Sequence, residues 1–139
     1  MTITVYGVPA PQGSKRFVGH AKSGRGIMIE SSAKVKPWRE SVKWAALAQP
    51  RITGPIRVRM VFTLPRPKSA KRGAVPSKKP DLSKLVRATE DALTDAAVWE
   101  DDARVVRIEA IKSYPLVDGD GATCWGLDRP GCVITIDPL

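Results

Sequence analysis

Soft metal ligands are almost absent from this chain: it has two cysteines, Cys124 and Cys132, and one histidine, His20. That excludes a zinc site of the usual Cys/His kind. A disulfide between the two thiols is conceivable, but in a reducing compartment two free thiols are the default. A Cys–His catalytic pair would need His20 beside one of them. No run approaches the roughly 20 apolar residues that a membrane span needs, and no segment reads as a basic amphipathic helix for a membrane surface. The opening, MTITVYGVPAPQGSKR, lacks the basic region and apolar core of a secretory signal. It reads as the first strand of a protein that stays in the cytoplasm. Aromatic residues make up only 6% of the chain and do not interleave with its basic stretches, which argues against stacking along single-stranded nucleic acid.

Acidic residues are also in deficit. Fourteen Asp and Glu stand against twenty-three Lys and Arg, a net charge of +9 over 139 residues. A surplus of this size favours a polyanion, because each phosphate neutralised releases condensed counterions. Backbone and shape recognition of duplex or branched DNA fits it best. The length is that of one domain, 1–139, with room for one core and not for two.

Residues 2–8 alternate polar and apolar and predict a strand. Residues 9–26 carry two prolines, four glycines and Lys15, Arg16, Lys22 and Arg25, predicting a flexible basic loop or a loose hairpin. From Ser31 to about Ala48 the period becomes helical: Ser31 or Ser32 can cap, and Val35, Trp38, Val42, Ala45 and Ala46 form one face. Trp44 lies off that face and suits a partner's surface. Residues 56–64 predict a strand, with Ile56, Val58, Met60, Phe62 and Leu64 on one side and Arg57 and Arg59 on the other. Residues 65–80 form a second basic stretch of four prolines and no acid, including Lys71, Arg72, Lys78 and Lys79. It cannot build a core and is expected to be mobile. A helix over 81–95 and strands over 103–114 and 131–137 follow. The order β–α–β–α–β–β predicts an α+β domain, one mixed sheet carrying two helices.

The chemistry concentrates in PDLSKLVRATEDALTDAAVWEDDARVVRIEAIK, residues 80–112. On a helix starting at Asp81, residues Leu82, Leu85, Val86, Thr89, Ala92, Leu93 and Ala96 share an arc of about 120° and predict the buried face. Lys84, Arg87, Ala88 and Asp91 fall on another face, beside Asp81. Taken singly, Asp81 is an N-cap and Arg87 with Asp91 an i,i+4 surface pair. Yet Asp101 and Asp102 follow at the mouth of a strand, and carboxylates gathered in so basic a chain suit Mg²⁺, which takes a few carboxylates plus water. Neighbouring strand residues face opposite ways, so Asp101 and Asp102 share a site only in a turn.

With Asp81, Leu85, Arg87, Asp91-Ala92-Leu93, Trp99 and Asp101-Asp102 in this order and spacing, the segment resembles the hallmark of the RusA family of crossover-junction endonucleases. The opening Pro-Gln-Gly-Ser-Lys-Arg, residues 11–16, is similar to the form carried by phage members. The resemblance implies a RusA-like fold and a homodimer that binds four-way DNA junctions and nicks two opposing strands with Mg²⁺ or Mn²⁺. It implies Asp81 and Asp102 as metal ligands, Asp101 and Asp91 as supporting carboxylates, and Arg87 where the family usually has a catalytic lysine. A guanidinium there can bind phosphate or a developing oxyanion but is unsuited to proton transfer. Ser83 stands where the family has a second Asp, and Lys84 where it has Asn. Ser83 is left to coordinate weakly or hold a metal-bound water, or else Asp91 or Asp101 supplies the carboxylate.

Lys15, Arg16, Lys22, Arg25, Lys71, Arg72, Lys78, Lys79 and Lys84 are the candidate phosphate contacts. Gly7 to Lys15 is no phosphate-binding loop: the glycine spacing is wrong, Ser14 precedes Lys15, and Pro9 and Pro11 stiffen it, so no nucleotide cofactor is expected. The rival reading is a DNA- or junction-binding protein with impaired or absent catalysis. It accounts for the charge and for Ser83, but poorly for the acids between 81 and 102.

Overall fold

Alternating burial along the strands and three-and-four spacing along the helices give the layers their faces. The computed structural model describes residues 1–13, 15–20, 26–30, 33–115 and 126–139, and side chains outside 14–32. In chain order the elements are β1 (Thr2–Tyr6), β2 (Lys15–His20), β3 (Gly26–Glu30), α1 (Val35–Ala46), β4 (Ile56–Thr63), α2 (Leu82–Asp95), a 3-10 turn (Asp102–Arg104), β5 (Val105–Ser113) and β6 (Gly131–Pro138). Four strands form one mixed sheet in the order β1-β6-β4-β5, and β2 with β3 forms a separate antiparallel hairpin. The hairpin is one of the two forms expected of 9–26, but its second strand, β3, was not foreseen. The α+β reading, a mixed sheet with two helices, holds.

Both helices pack on one face of the sheet. Trp38, Val42, Phe62, Met60, Leu85, Leu93, Ile134 and Ile136 are fully buried between the layers. Trp38 Nε1 donates to Thr89 Oγ1 at 3.1 Å, and Thr89 Oγ1 donates to Leu85 O at 2.9 Å, so the one polar residue in the buried face of α2 is satisfied and ties α1 to α2. Ala88, expected on the outer face, is buried with them, because α2 is covered from the α1 side as well as by the sheet. Helix α1 begins later than expected: its N-cap is Lys34, without a side-chain cap bond, and Ser31 and Ser32 lie outside the described residues. Trp44 is 76% exposed. The other sheet face is polar, with cross-strand ion pairs Arg57–Asp137 (3.3 Å) and Arg59–Glu109 (3.2 Å) between residues in register.

The stretch 65–80 is anchored and not a loose tether. Two turns close through Ala70 N to Pro67 O and Ala74 N to Lys71 O, both at 3.0 Å, and Pro76 is buried. The peptide Lys79–Pro80 is cis. Lys112 Nζ from β5 donates to Lys78 O (2.9 Å) and Pro80 O (3.0 Å). Backbone carbonyls, which the composition argument ignored, supply the order that side chains could not.

The β4–α2–β5 unit fixes the site. β4 and β5 are parallel neighbours, so the chain must travel back along α2 between them. Helix α2 therefore starts where both strands end and finishes where they begin. The hydrogen bonds agree: Lys112, near the end of β5, holds Pro80, while Ile52 N, ahead of β4, donates to Val98 O, beyond α2, at 2.8 Å.

Candidate active site

At the start of α2, Asp81 occupies the N-cap position with extended backbone (φ −68°, ψ 132°), yet its side chain makes no cap hydrogen bond. The expectation of a capping aspartate is met in position and not in contact. The carboxylate is about half exposed and lies 3.8 Å from Lys84 Nζ. It still gains from the positive end of the helix dipole. Ser83, Lys84 and Arg87 are exposed. Among the described residues Arg87 has no hydrogen bond or ion pair, so the i,i+4 pair with Asp91 is not formed. Gln12 N donates to Lys84 O at 3.0 Å, which brings the Pro11–Gln12–Gly13 part of the opening motif against the first turn of α2.

Sequence reasoning missed Lys112. A signal existed: Ile108, Ala110 and Lys112 pair in register with Val58, Met60 and Phe62, so Lys112 interrupts the helix-facing side of β5. A lysine on the covered face of a strand needs acceptors, and the carbonyls before Asp81 provide them.

At the far end of α2, Glu90 and Asp91 are half-buried, and Asp101 and Asp102 sit in the 3-10 turn that enters β5. The turn is the condition under which adjacent aspartates can act together. Asp101 accepts from Ala103 N at 2.7 Å. That bond and a hydrogen bond shared with Asp102 hold the Asp101 carboxyl below its ordinary range. Asp102 is pushed up, first by the bond in which Asp101 takes the acceptor role, then by burial and by the charges of Asp101 and Asp91. Glu90 is raised by burial, then by Asp102 and Asp91. Glu90 was not singled out from the sequence; its place next to Asp91, between the buried and open faces, was the available hint. Trp99, buried, donates Nε1 to Thr94 Oγ1 at 2.8 Å, and Glu100 pairs with Arg104 at 2.8 Å.

The two stations are far apart. From Asp81 to Asp91 is ten residues of helix, about 15 Å at 1.5 Å per residue, and Asp102 lies at the Asp91 end. Asp81 is not among the charges acting on Asp102 or Glu90. Among the described residues no three Asp, Glu, His or Cys side chains gather to hold a metal ion. The expected set of Asp81, Asp102, Asp101 and Ser83 is therefore not brought together within one chain; Asp101 and Asp102 share a hydrogen bond and the charge of Asp91 reaches Asp102, but the three do not form a metal-binding group.

Of the expected phosphate contacts, Lys71, Arg72, Lys78, Lys79 and Lys84 are exposed near the Asp81 end or on the stretch leading to it. Lys15 and Arg16 lie on β2, their side chains outside the described residues, as are Lys22 and Arg25 entirely. Cys132 is a buried free thiol whose pKa is pushed far up by burial. Cys124 and the His20 side chain lie outside the described residues. No described helix is long and apolar enough to cross a membrane.

The family model of endodeoxyribonuclease RusA matches residues 7–136. The chain belongs to the RusA endodeoxyribonuclease family. The match runs from the end of β1 almost to the end of β6 and takes in both ends of α2. Among curated proteins there is no match. Membership in the RusA family makes the acids at the two ends of α2 and the exposed Arg87 the first places to look for nuclease chemistry.

Proposed function

We propose that this RusA-family chain is a structure-selective endonuclease that hydrolyses phosphodiesters in four-way junctions and other branched DNA, acting as a homodimer with Mg²⁺ or Mn²⁺. The observation that carries this reading is the RusA family match over residues 7–136 of a chain of net charge +9, with the charges of Asp91 and Asp101 acting on Asp102 in the turn that enters β5. Among the described residues of one chain these carboxylates do not complete a metal site, so a divalent cation would draw its remaining ligands from a second copy. When bound, the ion would supply an activated water and stabilise charge on the phosphate.

Within one chain Asp81 and Asp102 do not fit a single ion. In a two-fold dimer, the Asp102 end of one copy can meet the Asp81 end of the other, giving two equivalent sites for two cuts. Asp81 and Asp102 are then the ligands, with Asp101 and Asp91 in support and Ser83 beside Asp81. Arg87, exposed and without a partner among the described residues, binds the phosphate and keeps its charge throughout. Lys71, Arg72, Lys78, Lys79 and Lys84 hold the DNA backbone. On this reading the protein would work where the DNA is, in the cytoplasm if the host is a bacterium.

The test is cleavage of a labelled synthetic four-way junction with Mg²⁺, with Mn²⁺ and with chelator, beside Asp81→Asn. Paired, metal-dependent nicks that vanish in the variant support the reading. One observation favours a second reading, a junction-binding protein with impaired catalysis: Ser83 leaves the Asp81 end with a single carboxylate. That reading expects tight binding to the junction and no cut with either metal.

A further inference from the structure

Immediately ahead of Asp81 lies a groove that phosphodiester hydrolysis leaves without a use. Its volume is about 380 Å³, and six of the molecule's twelve prolines line it. They come from three places: the segment after β1, the segment after β4 and the cis-proline run that ends at Pro80. Proline fixes its own φ, and Lys112 pins the carbonyls of Lys78 and Pro80, so the walls are preformed. Tyr114, half-buried, contributes the aromatic surface, with the Arg66 guanidinium 5.7 Å from its ring centre.

The charged lining is of one sign. Lys34, Lys78 and Lys79 line the groove and are exposed, and no acid lines it among the described residues. An apolar, aromatic slot with a purely cationic rim matches a flat π-system carried on an anionic strand. A peptide or lipid chain would not require the cations, and a paired base cannot enter without leaving its stack. A branch point is where bases unstack at least cost.

We propose that this proline-walled groove takes one unpaired nucleobase of the branched DNA, with Tyr114 as its stacking surface and the lysines on the flanking phosphates. Because Pro80 adjoins Asp81, the bound base belongs to a nucleotide at or next to the phosphate being cut, and the groove selects where near the branch point the cut falls. This rests on the endonuclease reading above.

The test uses the full-length protein and four-way junctions carrying 2-aminopurine at successive positions around the branch, with Ca²⁺ in place of Mg²⁺ to stop cleavage. Wild type is expected to change the fluorescence at one or two positions only. Tyr114→Ala should abolish that change and weaken cutting at the preferred position by roughly tenfold, with junction affinity little altered, while Tyr114→Phe keeps both. Val8→Glu, at a 51% exposed lining residue, puts an anion among the lysines of the groove without touching the core and should act like Tyr114→Ala. A response that is equal at all positions, or that survives both Tyr114→Ala and Val8→Glu, overturns the proposal and leaves the endonuclease reading standing. Failure of wild type to bind any branched DNA overturns both.

Discussion

The two ends of α2 carry acids for opposite reasons. At the start, a lone Asp81 sits where the helix dipole is positive, with Lys84 at 3.8 Å and Lys112 fixing the preceding carbonyls. Dipole and lysine both favour a carboxylate here, although it makes no cap hydrogen bond. At the other end, Glu90, Asp91 and Asp95 approach the negative pole, α2 has no basic residue in its last turn, and Asp101 and Asp102 come up from the following turn. Arg39 offsets Asp95 at 2.8 Å from α1, but nothing comparable offsets Asp102 among the described residues. Asp101 is stabilised there by Ala103 N, but dipole and mutual repulsion disfavour charge on Glu90 and Asp102. The contrast teaches that the acid most conspicuous in the sequence, at the helix start, is the one least in need of a functional explanation. At the far end the proposed cation would relieve the repulsion between Asp102, Asp91 and Glu90.

The sharpest way to break the comparison is to separate the two ends genetically. Asp81→Asn and Asp102→Asn should each lower junction cleavage by roughly 100-fold or more, as loss of a ligand does. In a mixed dimer of the two variants, isolated with two affinity tags, a shared site would contain one intact pair: Asp81 from the Asp102→Asn chain and Asp102 from the Asp81→Asn chain. One of the two nicks should return. If both ends served one ion within a single chain, the mixed dimer would have no intact site and stay inactive.

Arg87 tests the surface between the ends. Arg87→Ala should cost about 100-fold in cleavage, the scale of losing a fixed charge on a reacting phosphate, and leave the melting temperature unchanged, because the side chain has no partner among the described residues. A fall in both would make Arg87 structural. Lys112 should behave the other way. Lys112→Met removes two hydrogen bonds to carbonyls and is expected to cost about 1.5 kcal/mol, read as a lower melting temperature, with Lys112→Arg retaining part of it. An unchanged melt would mean that the cis-proline run is held by its prolines alone.

How much of this was legible beforehand follows from what periodicity reports. Burial of Trp38, Val42, Leu85, Leu93 and the alternating side of β4 was readable, because one face against one layer leaves a simple period. Ala88 was misplaced because α2 is covered from two directions. The second strand of the hairpin, β3, was hidden by glycine- and lysine-rich surroundings. The order in 65–80 rests on backbone bonds and on Lys112, some thirty residues away, which no local pattern displays. At the site, the residues were legible and their grouping was not. Asp81 and Asp102 are close in sequence, but a parallel β–α–β unit puts a full helix length between them, and only the β4–β5 pairing reveals it.

The smallest effect isolates the electrostatic cost at the acidic end. Glu90 has its pKa raised above the ordinary value by burial, then by Asp102 and Asp91, so the folded chain binds this proton more tightly than the unfolded chain does. Stability is then greatest at low pH and declines as pH rises from the unfolded pKa through the folded one, above which the loss is complete. Glu90→Gln removes the titration. Its melting temperature should exceed that of wild type by about 2 °C at pH 7, and the gap should close as pH falls below the ordinary carboxylate range. Added Mg²⁺ should narrow the gap at pH 7 from the wild-type side, since a cation among Asp91, Asp101 and Asp102 relieves the same repulsion. A gap that is constant with pH would show that the introduced amide helps through packing, and that the crowding of charge at this end is too weak to hold an ion.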